Sequence, residues 1–108
     1  MIGNYTAGIE ATLACMKACR TCAAACLEEP HVHNMSRCIQ LDLACAAICE
    51  AAAEGMLQHI NQANQLCQVC ADVCNACAEE CEKHEHDHCK KCAKICRHCA
   101  SVCTGLFT

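Results

Sequence analysis

CQVCADVCNACAEEC, residues 67–81, sets five cysteines at alternating steps of three and four. An α-helix advances about 100° per residue, so these steps hold Cys67, Cys70, Cys74, Cys77 and Cys81 within an arc of roughly 80° along about 21 Å of axis. Leucine ordinarily occupies that a/d stripe in a packed helix. Here sulfur replaces hydrocarbon, and both fold and function turn on what the stripe faces.

The same rhythm recurs along the chain. Cys15, Cys19, Cys22 and Cys26 carry it, as do Cys89, Cys92, Cys96, Cys99 and Cys103. Cys38, Cys45 and Cys49 keep it with one step missing, and Asp42 stands at the missing position. All 17 cysteines therefore fall on four stripes. Breakers separate the stripes into helices. Pro30 ends a first helix running from Asn4 to Glu28, and Asn34 is placed to cap a second that starts at Met35 and stops at Gly55. A third is expected from Met56 to Lys83. After the polar run HEHDH, with Asp87 as cap, a fourth ends at Gly105. No alternating pattern or hairpin signal predicts a strand. Short connections force neighbouring helices antiparallel. The expected fold is all-α: an antiparallel up-down-up-down four-helix bundle, one domain over residues 1–108, with a cysteine-lined core.

Composition supports the same picture. Leu, Ile, Val and Phe together supply 18 positions and alanine 19, so large apolar side chains are scarce. A core of that kind needs support beyond hydrocarbon burial. Disulfides are a poor source: the cysteine count is odd, and thiols three or four apart on one helix point alongside each other. The N-terminal stretch MIGNYTAGIEATLACMK shows no basic leader before an apolar run, so the expectation is a cytoplasmic chain with reduced thiols. Twelve acidic against eight basic residues, with one Tyr, one Phe and no Trp, argue against nucleic acid. No run of apolar residues is long enough to span a membrane. A lone cysteine in a helix is ordinarily packing. Four aligned stripes, in a core that leucine would fill better, point instead to metal.

Soft thiolates select Cu(I), Zn(II) or iron–sulfur clusters. Zinc takes closed sets of four ligands, and iron–sulfur ligation uses compact loop motifs. Continuous mid-helix cysteines suit Cu(I) held by bridging thiolates. One Cu(I) per thiolate leaves the interior neutral and sets a capacity of about 17 ions. A closed tube with no open coordination position suits storage better than catalysis, so no enzyme is expected. A zinc- or iron–sulfur-binding redox or transfer protein is the alternative these residues leave open.

The CxxxCxxCxxxC motif at 15–26 and the CxxCxxxCxxCxxxC motifs at 67–81 and 89–103 resemble those of the bacterial cysteine-rich four-helix-bundle copper storage proteins. The resemblance extends over essentially the whole chain. It implies many Cu(I) ions inside the bundle, a homotetramer, and the cytosolic subgroup of that family. It also carries the stripe cysteines over as ligands: Cys15, Cys19, Cys22, Cys26, Cys38, Cys45, Cys49, Cys67, Cys70, Cys74, Cys77, Cys81, Cys89, Cys92, Cys96, Cys99 and Cys103. Asp42 departs from it, as a hard carboxylate on a soft seam. The implied role is copper storage and detoxification, with copper ions and a copper chaperone as partners.

The two ends of the expected bundle differ. One collects His31, His33, Met35, His84, His86 and His88, and reads as a polar mouth with affinity for copper. The other collects Tyr5, Ile9, Met56, Leu57, Ile60, Leu106 and Phe107, and reads as an apolar plug. Extending the second stripe outward from Cys38 reaches Met35 and then His31, the two best noncysteine ligand candidates. His59 and His98 lie off the stripes and are expected at the surface, with Lys90, Lys91, Lys94 and Arg97 as a basic outer face. Ala7, Ala11, Ala14 and Ala18 form a small-residue stripe on the first helix, expected away from the sulfurs and open to another bundle.

Overall fold

Alanine and cysteine are narrow side chains, and helices that carry them can approach closely along their whole length. The computed structural model describes residues 4–106. They form α1 (Thr6–Cys26), α2 (Ser36–Leu57), α3 (Ala63–Cys81) and α4 (Asp87–Leu106), with a 3₁₀ turn at Val32–Met35 leading into α2. Each helix packs on two neighbours, in the cycle α1, α2, α3, α4 and back to α1. The result is a slender rod whose backbone measures 51 × 19 × 17 Å.

Register follows from the sulfurs. Across α1 and α2, Cys15 meets Cys45 and Cys26 meets Cys38. Across α2 and α3, Cys38 meets Cys81 and Cys49 meets Cys70. Numbers rise on one helix as they fall on the next, so neighbours run antiparallel. All 17 cysteines are buried and none is disulfide-bonded. Buried alanines such as Ala23, Ala46, Ala78 and Ala93 fill the spaces beside them. Ile39, Leu41, Ile48, Val73 and Ile95 pack against this interior while only partly buried. The usual order of a bundle is thus inverted, with sulfur on the axis and branched aliphatics at the flanks.

Several boundaries differ from the sequence expectation. Gly55 does not end α2. It lies buried inside the helix, where an added Cβ would stand 2.7 Å from Leu66 Cδ1, so glycine here admits the start of α3. The helix stops two residues later through a Schellman-type closure, with the Ile60 N–H donating to Gly55 O at 3.2 Å. The left-handed position of that closure is His59 (φ 52°), a residue that sequence patterns do not mark as a stop. Met56 therefore belongs to α2 rather than opening α3, which begins at Ala63. Asn34 is not the cap of α2 but sits within the 3₁₀ turn, with Met35 as the flanking residue. Asp87 lies in the first turn of α4, where its carboxylate suits the positive helix end. Gly105 lies inside that helix.

The apolar end is smaller than expected. Met56 is fully buried, and its Sδ and Leu106 Cδ1 both lie 2.7 Å from where a Gly8 Cβ would stand. Thr12 is also buried there, its hydroxyl donating to Gly8 O at 2.8 Å. Tyr5 and Ile9 pack on this cap. Leu57 and Ile60 are instead exposed, at 52% and 43%, and form no part of it. Phe107 lies outside the described residues. Ala11 faces the core rather than the surface, so the alanine stripe of α1 does not lie wholly away from the sulfurs.

Two outcomes are expected. Reduced, metal-free protein should give a helical far-UV circular dichroism spectrum, because alanine-rich helices with short connections define the bundle unaided; a coil spectrum would contradict this. Met56→Ala should lower stability by about 2–5 kcal/mol in denaturant titration, since the site is fully buried.

Candidate metal centre

A thiol on every third or fourth residue, on four helices at once, places sulfurs in a continuous column. Near its middle, Cys15 lies 4.0 Å from Cys45, 3.7 Å from Cys74 and 3.7 Å from Cys96, so one layer draws a sulfur from every helix. Cys45 is 3.6 Å from Cys74, and Cys19 is 3.6 Å from Cys96. These are van der Waals contacts between thiols. They are also coordination distances: three sulfurs about 3.8 Å apart surround a point about 2.2 Å from each, close to a d¹⁰ metal–thiolate bond of about 2.3 Å. Loading then needs little movement.

The four-ligand sets overlap. Cys15, Cys49, Cys74 and Cys99 lie within 4.8 Å of one another, as do Cys15, Cys19, Cys45 and Cys96, and also Cys19, Cys77, Cys92 and Cys96. A further set is Cys22, Cys26, Cys38 and Cys89. Cys15, Cys19 and Cys96 each belong to two sets, so the column does not divide into separate closed tetrahedra. Its geometry calls for sulfurs that bridge two ions. Burial pushes the Cys26 thiol up, and burial with the neighbouring Cys38 raises Cys89 to about 12. Metal-free, these groups hold their protons, and a cation must displace them.

Asp42 interrupts the column. It is fully buried, and its Oδ1 accepts from the Cys77 thiol at 3.2 Å, from Cys92 at 3.4 Å and from Cys81 at 3.8 Å. Cys38 donates to Oδ2 at 3.9 Å. With Cys22, Cys81 and Cys92 the carboxylate completes another close set of four. Burial, with the Cys92 sulfur nearby, raises its pKa to about 8, so the group is mostly protonated at neutral pH.

The histidine pole resolves into two parts. His31 is exposed and lines a small cleft of about 180 Å³ with Met35, His84, His86, Glu29, Pro30 and Asn34. Met35 is buried at 2% exposure. The histidine that touches sulfur is His88. Its Nδ1 lies 3.5 Å from Cys22, 3.6 Å from Cys89 and 4.0 Å from Cys26. His88, Cys22 and Cys92 also border a groove of about 400 Å³ between α1 and α4. Sequence reasoning placed His88 at this pole without singling it out. The signal was weak: His88 is one turn before Cys92 but stands beside Cys89, whereas steps of three and four outward from Cys89 reach His86 and Glu85. His59 and His98 are exposed. Arg97 of the basic face is more than solvated surface, since it pairs with Glu82 through 2.8 and 3.1 Å contacts and ties α4 to the end of α3.

Comparison with known proteins agrees with this geometry. The copper storage protein family matches the chain over residues 1–108. The chain belongs to that family. It is 46% identical to a Cu(I)-bound copper storage protein, BsCsp3, with a TM-score of 0.93 over 96% of this chain and 98% of the other. A cytosolic copper storage protein from Streptomyces lividans, studied during copper loading, is 42% identical with a TM-score of 0.89 over 92% and 88% of the two chains. The uncharacterized cysteine-rich protein YhjQ of Bacillus subtilis is 48% identical over 81 residues, 75% of each chain. Among the described residues no helix is long and apolar enough to cross a membrane.

Asp42 yields a pH test. A carboxyl raised from 3.8 to about 8 binds more protons folded than unfolded. Its contribution to stability is fully present below the unfolded pKa and lost as pH rises through about 8. Asp42→Asn should flatten the fall in stability of the reduced, metal-free protein between roughly pH 4 and 8, read from denaturant midpoints.

Proposed function

We propose that this protein stores Cu(I) in the cytosol, holding many ions on the thiolates of its core. The observation that carries the reading is the continuous sulfur column with its overlapping ligand sets. A soft monovalent d¹⁰ ion accepts few sulfurs and shares them readily, whereas isolated zinc sites need separate sets of four. The relatives named above as Cu(I)-bound and copper-loaded proteins support the same cargo.

All 17 stripe cysteines act as ligands in this reading. Each ion that enters releases a thiol proton, and one ion per thiolate leaves the interior neutral. His88 adds a nitrogen ligand at the outer end, and His31 and Met35 are ligands of passage in the cleft beyond it. With the column closed around its ions, no coordination position is left for a substrate, which fits storage and detoxification rather than catalysis. Association into a homotetramer and delivery by a copper chaperone belong to the same proposal.

Anaerobic titration of reduced protein with Cu(I), against a colorimetric competitor, tests capacity. A break at about 17 equivalents is expected, and one near one or two equivalents would sink the storage reading. Entry is tested separately by stopped-flow loading from a Cu(I) donor. His88→Ala should slow filling while leaving final capacity nearly unchanged, because cysteines hold the store. A wild-type filling rate in that variant would mean that the mouth lies elsewhere.

A further inference from the structure

We propose that Glu29 is a positioning residue for copper capture, fixing the His88 ring so that its Nδ1 lone pair faces the first ion bound among Cys22, Cys26 and Cys89. This rests on the reading of the histidine pole as the mouth.

A neutral imidazole carries one N–H and one lone pair, and only the lone pair binds a metal. The partner of one nitrogen decides what the other offers. His88 Nε2 lies 2.8 Å from Glu29 Oε2. A carboxylate is an acceptor only, so Nε2 must carry the hydrogen. The Nδ1 lone pair is then turned inward to sulfurs at 3.5, 3.6 and 4.0 Å. Without metal it accepts from a thiol. On capture the thiol protons leave to solvent, thiolates and Nδ1 bind the ion, and copper stays Cu(I) throughout. A carboxylate behind a ligating histidine is a recurring arrangement that sets tautomer and ring orientation together.

Two further contacts make the arrangement specific. His86 Nδ1 lies 3.5 Å from the same Glu29 oxygen. The His86 ring stacks on His88 with centroids 5.3 Å apart and planes within 3°, which restrains ring rotation. Glu29 is itself held just past the end of α1, its N–H donating to Cys26 O at 3.2 Å. The carboxylate and His88 are each 22% exposed, so without Glu29 the ring is free to change tautomer or turn toward water.

The test uses full-length reduced protein under anaerobic conditions, loaded from a chelated Cu(I) donor, with variants Glu29→Ala, Glu29→Gln, His88→Ala and the Glu29→Ala/His88→Ala double. Glu29→Ala should slow the first loading phase by about tenfold, the low end of what losing such a buttress costs. Glu29→Gln should retain most of the rate, because its amide oxygen still accepts the Nε2 hydrogen. The double variant should load no more slowly than His88→Ala alone. Imidazole ¹⁵N spectra of the metal-free protein should show the Nε2–H tautomer at His88 in wild type and Glu29→Gln, and a mixture in Glu29→Ala. Wild-type loading in Glu29→Ala, an unchanged tautomer there, or a further slowing in the double variant would each overturn the role of Glu29. If His88→Ala itself loads at the wild-type rate, the mouth reading fails as well. A slow His88→Ala beside a normal Glu29→Ala removes Glu29 alone.

Discussion

Contact between sulfurs along the bundle axis is the constraint on which the rest of this structure depends. For Cys15 to lie within 4 Å of a thiol on each of the other three helices, the helices must approach closely. Alanine beside each stripe permits that approach, and larger side chains are displaced to the flanks. The displaced aliphatics then cover the sulfur column from the side. One requirement therefore accounts for the composition, the slender shape and the inverted core. It also explains why the metal-free interior tolerates 17 cysteines without a disulfide. Packed as neutral thiols, they are small apolar groups with weak mutual hydrogen bonds.

Much of this architecture was legible in the sequence, because helical periodicity is a strong signal when the marked residue is rare outside the stripe. Every cysteine found its place, from Cys15 in the four-helix layer to Cys103 near the far end. Pro30 and the polar run before α4 also marked real connections. What escaped were features set by tertiary contact. Gly55 looked like a stop and is a point of close approach to Leu66. The true stop sits at His59, in a backbone conformation that glycine or asparagine would have announced. Leu57 and Ile60 looked like core and face solvent, the first as the last residue of α2 and the second in the loop beyond it. His88 was visible only as one histidine among several, since its contact with Cys22 and Cys26 depends on how α4 docks against α1.

Asp42 shows how a single substitution on the seam changes the chemistry without changing the packing. It occupies a cysteine position, is as buried as the thiols around it, and is satisfied by them. Among the described residues no buried side-chain nitrogen or oxygen lacks a partner. A protonated carboxyl can be kept in such a place because thiols offer several weak donors rather than one strong one. Toward metal the same residue is the hard member of a soft set, so bridging by sulfur is least continuous at its level of the column.

The closed cap of Gly8, Met56 and Leu106 has a consequence for the order in which cargo moves. His59 lies exposed against Tyr5 at this capped end. The histidine that reaches sulfur and the groove beside Cys22 and Cys92 belong to the other, so on the entry proposed above ions share an entrance and an exit. The store is then a stack rather than a pipe. On that entry, ions placed early would migrate to the depth of Cys67 and Cys103 and leave late, while those added last would sit nearest Cys22 and Cys89 and leave first. A nearly empty bundle and a nearly full one thus offer the cell different copper, the first slow to surrender and the second quickly drawn upon.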